Sequence, residues 1–179
     1  MTLSFAPACR LTAALSAVLA FLAAPPLLLA QAAPKVACTD PIHHQFDFWI
    51  GDWDVTLPDG SKAGHNLIEP ILGGCALRES WTGARGANGT STNAFDRVRG
   101  KWHQTWVDDG GSLIMLDGAF AEGKMVLTGE TKDTAGKKVI NRITWQETAP
   151  GAVRQLWEAS RDGGSTWNVL FDGRYKKRA

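Results

Sequence analysis

The sequence predicts an all-β protein that folds as a single antiparallel up-and-down barrel of about ten strands. From residue 49 onward, short runs rich in Val, Ile, Thr, Trp and Phe alternate with clusters of Gly, Asp and Asn. The runs recur about every 12 residues, which is typical of an antiparallel meander. Ten such strands without covering helices leave two exposed edges, and closure into a barrel removes them. A sandwich of two sheets is the alternative architecture.

Short turn sequences separate the expected strands. They include 58–60 (PDG), 73–74 (GG) and 109–111 (DGG), which suit tight reversals of the chain. Connections this short favour pairing between strands that are neighbours in the sequence. The expected strands are 49–57, 63–71, 75–82, 89–97, 101–108, 112–119, 123–131, 138–147, 152–160 and 166–176.

A short helical element is expected just before the first strand. Asp40 suits a helix N-cap and Pro41 suits a first turn, which predicts a helical turn between Pro41 and Phe48. Such a segment would plug one end of the barrel. Within it we expect His43 and His44 to face solvent.

The N-terminus resembles a secretory signal. Arg10 is the only charged residue among the first 34, an apolar run covers 11–22, and residues 30–32 (AQA) form a small-x-small cleavage site. The sequence therefore predicts a signal peptide over 1–32, an N-terminal segment over 33–48 and a barrel domain over 49–176. The protein is expected in the periplasm or secreted. The prolines at 25–26 and the short apolar run argue against a stable membrane span.

The charge balance of the chain argues against two classes of binding partner. Without Arg10, eighteen basic residues balance eighteen acidic ones, so nothing marks a surface for nucleic acid or anionic membrane.

Two cysteines, Cys38 and Cys75, remain in a compartment where disulfides persist. We favour a disulfide, which would close a loop of about 38 residues and stabilise the fold by up to about 4 kcal/mol. A reactive thiol or a metal site is the alternative.

Side-chain alternation along the strands points to the interior. On strand 101–108, Trp102, Gln104 and Trp106 share one face. Four of the inward positions are polar, and burying each group without a partner costs about 1–3 kcal/mol. The candidate ligand-binding residues are Glu79, Trp81, Trp102, Gln104, Trp106, Asn141, Trp145, Gln155 and Trp157. The last strand adds Trp167, Val169, Phe171 and Tyr175 to the same face, and the outward positions include Arg78, Arg142, Arg154, Asn168, Asp172 and Arg174.

Two interpretations of these polar positions stay open. An aromatic-walled cavity with a few convergent polar groups is the usual form of a small-molecule site. In a filled barrel, the same polar groups would satisfy one another. We favour the cavity because eight tryptophans supply large walls.

Glu79 is the one candidate acid or base, since burial beside Leu77 and Trp81 would raise its pKa. It needs a second group, for which Asp108, Asp96 or His103 are available. A structural role for the buried carboxyl is the simpler interpretation. The histidine spacing predicts no metal site, and no cofactor motif is present in the sequence.

Residues 160–167 (SRDGGSTW) match the Asp-box, a β-hairpin motif that recurs in propellers. A propeller needs several copies, and this chain has one. We therefore interpret the motif as a structural turn, in which Asp162 accepts backbone hydrogen bonds and Trp167 packs beneath the hairpin.

The chain resembles a group of exported bacterial proteins of unknown function with a lipocalin-like, or calycin, fold. The matching segments are 46–55, 71–75, 79–81, 102–108, 143–145, 153–158 and 171–175. The resemblance implies the barrel and the export, and no activity. A Gly-x-Trp at the start of the first strand, here Gly51 and Trp53, is shared with lipocalins. That likeness implies that Trp53 packs against an arginine, for which Arg174 is available.

The sequence thus predicts an exported barrel that binds a small apolar or amphipathic molecule, without a cofactor. One alternative is an isomerase, cyclase or hydrolase that uses Glu79. Another is a non-catalytic module that contacts envelope proteins or supports the envelope.

Overall fold

A computed structural model describes Thr2 and residues 38–178 of the protein. Ten strands form a closed barrel in which each pairs antiparallel with its sequence neighbours and the first pairs with the last. The predicted fold class is confirmed. The predicted signal peptide, 1–32, lies outside the described residues. The strands are β1 Gly51–Thr56, β2 Lys62–Ile71, β3 Ala76–Gly83, β4 Asn88–Asp96, β5 Lys101–Asp108, β6 Leu113–Ala121, β7 Lys124–Lys132, β8 Lys138–Ala149, β9 Ala152–Ser160 and β10 Asn168–Lys177.

Closure depends on a short ladder between β1 and β10. Its register runs from Trp53 opposite Lys177 to Thr56 opposite Arg174. Because side chains alternate between the two faces of a strand, closure commits every second residue to an enclosed interior. In the part of the chain that the structure describes, no helix is long and apolar enough to span a membrane.

The N-terminal plug consists of two short 3₁₀ turns, Pro41–His44 and Asp47–Trp49. The expected plug is therefore present, although Asp40 makes no side-chain capping bond to it. Phe46, between the two turns, has no exposed surface, and its ring stacks on Trp49 at 4.9 Å between centroids. Aromatic pairs of this kind add stability beyond the area that they bury.

Polar and covalent links hold the plug in place. Trp53 Nε1 donates a hydrogen bond to the Trp49 carbonyl at 2.9 Å, and Trp102 Nε1 donates to Gln45 Oε1 at 3.1 Å. The predicted disulfide is present and joins Cys38 to Cys75, with 5.0 Å between the Cα atoms. The plug is thus tied to β1, to β5 and to the β2–β3 connection.

His43 corrects one expectation about the plug. Its side chain was expected to face solvent, yet the residue is only 5% exposed and its ring lies edge-on to Phe95, 5.6 Å between centroids. His43 belongs to the first 3₁₀ turn, and its contact with Phe95 places the side chain against β4. His44 is exposed as expected and pairs with Asp47.

The last strand corrects a second expectation. A bulge between Val169 and Phe171 shifts the register against β9, so Val169 is exposed while Phe171 and Tyr175 face inward. Trp167 also lies outside, where the Arg142 guanidinium stacks on its ring at 3.8 Å. A single inserted residue reverses the alternation on one side of a bulge.

The residue that covers Trp53 also differs from expectation. Arg174 points outward and pairs with Asp172, whereas Lys177 Nζ lies 5.8 Å from the centre of the Trp53 ring. Register explains the difference, since Lys177 is the direct partner of Trp53 and Arg174 lies opposite Thr56.

We predict that the Phe46→Ala variant loses about 3–5 kcal/mol in the free energy of unfolding, because it leaves a cavity between four aromatic rings. The matched control is Ile42→Ala in the same plug, where the side chain is 37% exposed and the loss should stay below about 1 kcal/mol. Urea unfolding measures both values. Equal losses in the two variants would contradict the plug's role as core.

Candidate functional site

The barrel interior divides into a packed half and an open half. Beneath the plug, Phe46, Trp102 and Trp145 pack together. At the other end, near the β3–β4, β5–β6 and β9–β10 turns, a cavity of about 210 Å³ remains. It is lined by Glu79, Trp81, Gln104, Trp106, Ile114, Leu116, Ile143, Gln155, Trp157, Leu170, Phe171 and Tyr175.

Glycines hold two of the tryptophan walls in place. A Cβ on Gly89 would lie 2.2 Å from the Trp106 ring, and one on Gly64 would lie 2.7 Å from the Trp81 ring. Real Cβ atoms do not approach so closely, so these ring positions require glycine at both sites. Phe171 meets Trp81 edge-on at 5.9 Å between centroids. The aromatic walls are therefore set by strand geometry.

A buried carboxylate forms part of the cavity floor. Glu79 accepts a hydrogen bond from Asn66 Nδ2 on Oε1 at 2.8 Å and one from Ser91 Oγ on Oε2 at 2.7 Å. The three side chains come from β2, β3 and β4, where the register places Ser91 opposite Glu79. The residue is 3% exposed. The strand alternation predicted its inward direction, and the neighbouring strands supply its partners.

Gln104 and Asn93 donate hydrogen bonds to Ser91, which in turn donates to Glu79. Gln104 Nε2 donates to Asn93 Oδ1 at 2.9 Å and to Ser91 Oγ at 3.3 Å, and Asn93 Nδ2 donates to Ser91 Oγ at 2.9 Å. Because Ser91 already accepts from two amides, its own hydroxyl hydrogen is directed to the carboxylate. The network thus presents donors to Glu79, as an ionised carboxylate requires.

A second branch of the network reaches Tyr175. Asn66 Nδ2 donates to the Tyr175 hydroxyl at 3.1 Å, and that hydroxyl donates to Gln155 Oε1. Asn66 Oδ1 is buried and has no hydrogen-bond partner among the described residues. Four polar side chains from separate strands therefore converge on the cavity: Glu79, Gln104, Gln155 and Tyr175.

Burial changes the acidity of both ionisable groups on the cavity floor. Desolvation raises the pKa of Glu79 from 4.5 to about 7, against the opposing effect of the hydrogen bonds from Ser91 and Asn66. Burial also raises the pKa of Tyr175 well above its ordinary value, and the nearby Glu79 charge adds to the increase. Glu79 therefore titrates near neutral pH, while Tyr175 stays protonated there.

The structure brings six of the nine predicted ligand-binding residues to the cavity: Glu79, Trp81, Gln104, Trp106, Gln155 and Trp157. It places the other three elsewhere in the interior. Trp102 and Trp145 contact Phe46 in the packed half. Asn141 bonds to Thr131 Oγ1 and to Trp157 Nε1 at 2.9 and 3.0 Å, beside the wall between β6 and β7.

Sequence reasoning missed Asn66, Ser91 and Asn93 as parts of the network. A signal for them existed, since Asn66 falls between Gly64 and Ile68 on the inward face of β2. Tyr175 was placed on the inward face, but its link to Glu79 through Asn66 depends on barrel closure between distant strands.

The acid–base partners proposed for Glu79 lie away from it. Asp108 accepts hydrogen bonds in the β5–β6 turn, from Ser112 N and Trp106 Nε1. Asp96 holds Arg99 outside the opposite end of the barrel, and His103 bonds to Asp117 on the outer wall. Over residues 38–178, no cluster of three or more His, Cys, Asp or Glu side chains forms that could hold a metal ion.

The hydrogen-bonded ladder between β6 and β7 stops short of the cavity end of the barrel. Their ladder covers only Asp117–Ala121 with Lys124–Thr128, although β6 begins at Leu113 and β7 ends at Lys132. A groove follows this gap, and two of its lining residues, Ile114 and Trp157, also line the cavity. The groove therefore adjoins the cavity from the side.

The outer wall carries ion pairs and one small apolar patch. Arg78 pairs with Glu69, Arg142 with Glu158 and Arg154 with Asp172, as the outward assignment predicts. Val107, Leu113 and Met115 lie adjacent and exposed on β5 and β6.

In the Asp-box turn, Asp162 accepts a hydrogen bond from Thr166 N at 2.9 Å, as expected, and two more from the hydroxyl groups of Ser160 and Thr166.

These features define a closed antiparallel barrel with an aromatic-walled internal cavity, an arrangement consistent with a lipocalin-like fold. No protein-family model matches the sequence, and a search of curated proteins also gave no match.

We predict that stability depends on pH through Glu79. Since the folded pKa is about 7 and the unfolded pKa is near 4.5, the folded state binds the extra proton between these values. The contribution of Glu79 to stability should therefore be complete below about pH 4.5, fall by about 3 kcal/mol as the pH rises to about 7, and change little above it. Glu79→Gln should lack this fall, whereas Glu69→Gln on the outer wall should keep it. Urea unfolding at several pH values measures the slopes, and parallel slopes for wild type and Glu79→Gln would refute the assignment.

Proposed function

We propose that this protein is an exported barrel that binds a small apolar or amphipathic molecule in the cavity between Glu79 and the tryptophan walls. The observation that carries the proposal is the uneven filling of the interior. One half is packed with aromatic rings, whereas the other keeps a cavity of about 210 Å³ with four polar side chains directed into it. Apolar walls with few convergent polar groups are the usual form of a ligand site.

The volume of the cavity limits the size of the ligand that it can hold. Pockets for drug-sized molecules span about 300–1,000 Å³, so this cavity suits a smaller molecule. A cavity of about 150 Å³ can hold benzene, so about 210 Å³ leaves room for one ring with a short substituent. The nearby groove between β6 and β7 offers a route for such a molecule to enter from the side.

Membership of the exported lipocalin-like group is part of the proposal. It is supported by the closed barrel and by the resemblance of the strand segments. The Cys38–Cys75 disulfide supports an oxidising compartment, since such bonds rarely persist in the cytosol. A periplasmic or secreted location follows from these points together with the N-terminal sequence.

Acid–base catalysis by Glu79 is a second candidate, favoured by the pKa of about 7 for that residue. A binding protein and an enzyme that uses Glu79 differ in whether protons are exchanged with the bound molecule. Small molecules that co-purify with the native protein can be returned to it in D₂O. A binding protein leaves their deuterium content at the level seen with Glu79→Gln, whereas an isomerase that removes a carbon-bound proton raises it.

We predict that filling the cavity abolishes ligand binding. Ile114 lines the cavity, whereas Val107 on the neighbouring strand β5 is exposed on the outer wall and lines neither the cavity nor the groove. Ile114→Trp should weaken the binding of benzyl alcohol at least about tenfold, at a stability cost of about 1–3 kcal/mol. Val107→Trp, the matched control, should bind as the wild type does. Indole N–H shifts in NMR titrations measure the affinity, and equal binding by both variants would overturn the proposed site.

A further inference from the structure

The cavity holds a carboxylate without a matching positive charge. Its twelve lining residues include Glu79 and no Lys, Arg or His. The two groups that bond to the carboxylate, Asn66 and Ser91, are neutral. The described residues thus leave the negative charge of Glu79 uncompensated inside the barrel. Buried carboxylates are normally paired with a cation, because desolvation of a lone charge is costly.

The surrounding hydrogen bonds favour the charged form of this group. Both oxygens of Glu79 accept a hydrogen bond, and the Ser91 hydroxyl is directed to it by two amides that donate to Ser91. A network built for a neutral carboxyl would instead offer an acceptor to the acid proton. The hydrogen bonds therefore favour an ionised Glu79, while desolvation raises its pKa to about 7 and opposes ionisation in the absence of a cation.

The cavity walls have the complementary chemistry. Trp81, Trp106 and Trp157 line the same cavity as Glu79, together with Phe171 and Tyr175. The faces of aromatic rings carry partial negative charge and attract ammonium groups, tryptophan most strongly. Aromatic walls around a carboxylate suit an organic cation better than a hydrated metal ion, which needs several oxygen ligands.

We infer that the natural ligand is a small organic cation, an amine or quaternary ammonium compound with an apolar body, whose charge lies between Glu79 and the tryptophan walls. This inference rests on the proposed function and names the ligand class for its cavity. An anion would meet the Glu79 charge with no basic residue to offset it. A neutral molecule would offer no charge to balance the ionised form of Glu79.

The same geometry makes binding depend on pH through one group. The side chains that contact the Glu79 carboxylate are Asn66 from β2 and Ser91 from β4, and neither titrates. Tyr175 from β10 is the other ionisable group on the cavity floor, and it stays protonated near neutral pH. The titratable side chains on the outer faces of β2, β3, β4 and β10 lie on the other side of the wall, among them His65, Glu69, Arg78, Asp172, Arg174 and Lys176. Affinity for a cation should therefore rise with the ionisation of Glu79 alone.

A charge series of similar molecules tests the inference. Benzylammonium, benzyl alcohol and benzoate differ mainly in charge and can be titrated calorimetrically into wild type, Glu79→Gln and Glu69→Gln. The wild type should bind benzylammonium at least about tenfold more tightly than benzyl alcohol, and benzoate most weakly. Glu79→Gln should lose this preference but keep its affinity for benzyl alcohol. The control Glu69→Gln, which removes an outer-wall charge of β2, should keep the preference.

A pH series with the wild type covers the case in which Glu79→Gln does not fold. Benzyltrimethylammonium carries a permanent charge, so only the protein titrates. Its affinity should be about 30-fold lower at pH 5.5 than at pH 8, because only about 3% of a carboxyl with a pKa near 7 is ionised at the lower value. An affinity independent of pH would overturn the inference.

Two other outcomes distinguish a failure of the cation inference from a failure of the proposed binding function. If the wild type binds benzyl alcohol as tightly as benzylammonium, the cation inference fails and the binding function stands. If none of the three probes binds, both fail.

Discussion

The enclosed interior of this barrel depends on the pairing of β1 with β10. The ladder from Trp53 opposite Lys177 to Thr56 opposite Arg174 turns an open meander into a closed wall. Closure removes the sheet edges and fixes which side chains are enclosed. It also brings Tyr175 of β10 beside Asn66 of β2 across β1, so that one polar network spans strands far apart in the sequence. Without this ladder, the Glu79 carboxylate would have water available as a partner.

The enclosed interior is used in two different ways. At one end the plug inserts Phe46 and Trp49, and the disulfide and two indole hydrogen bonds hold it there. This half provides the aromatic core. At the other end, glycines such as Gly89 let the tryptophan rings lie along the wall, and space remains between them. The packed half can thus stabilise the fold while the open half keeps a desolvated carboxylate, a group that by itself weakens the folded state at neutral pH.

Much of the fold could be predicted from sequence because a meander is local. Turn residues mark each strand end, and alternation assigns inward and outward faces, which held for Glu79 and for the outer ion pairs such as Arg78–Glu69. The alternation rule gave the wrong face for Val169, because a bulge between Val169 and Phe171 inserts one residue. Nothing in the local sequence predicts this bulge. The alternation rule also could not place an inward residue along the barrel axis. Trp102 and Trp106 share a face, yet one packs under the plug and the other lines the cavity, because the depth of the plug is a tertiary feature.

Barrel closure holds one carboxylate in an apolar cavity without a counter-charge among the lining residues. A carbon-13 NMR titration of the side-chain carboxyl of Glu79 tests it directly, with Glu79→Gln providing the assignment. A midpoint of about 7 is expected, since burial outweighs the hydrogen bonds from Ser91 and Asn66. A midpoint near the ordinary value of 4.5 would show that the carboxylate is solvated or paired, and would contradict the account.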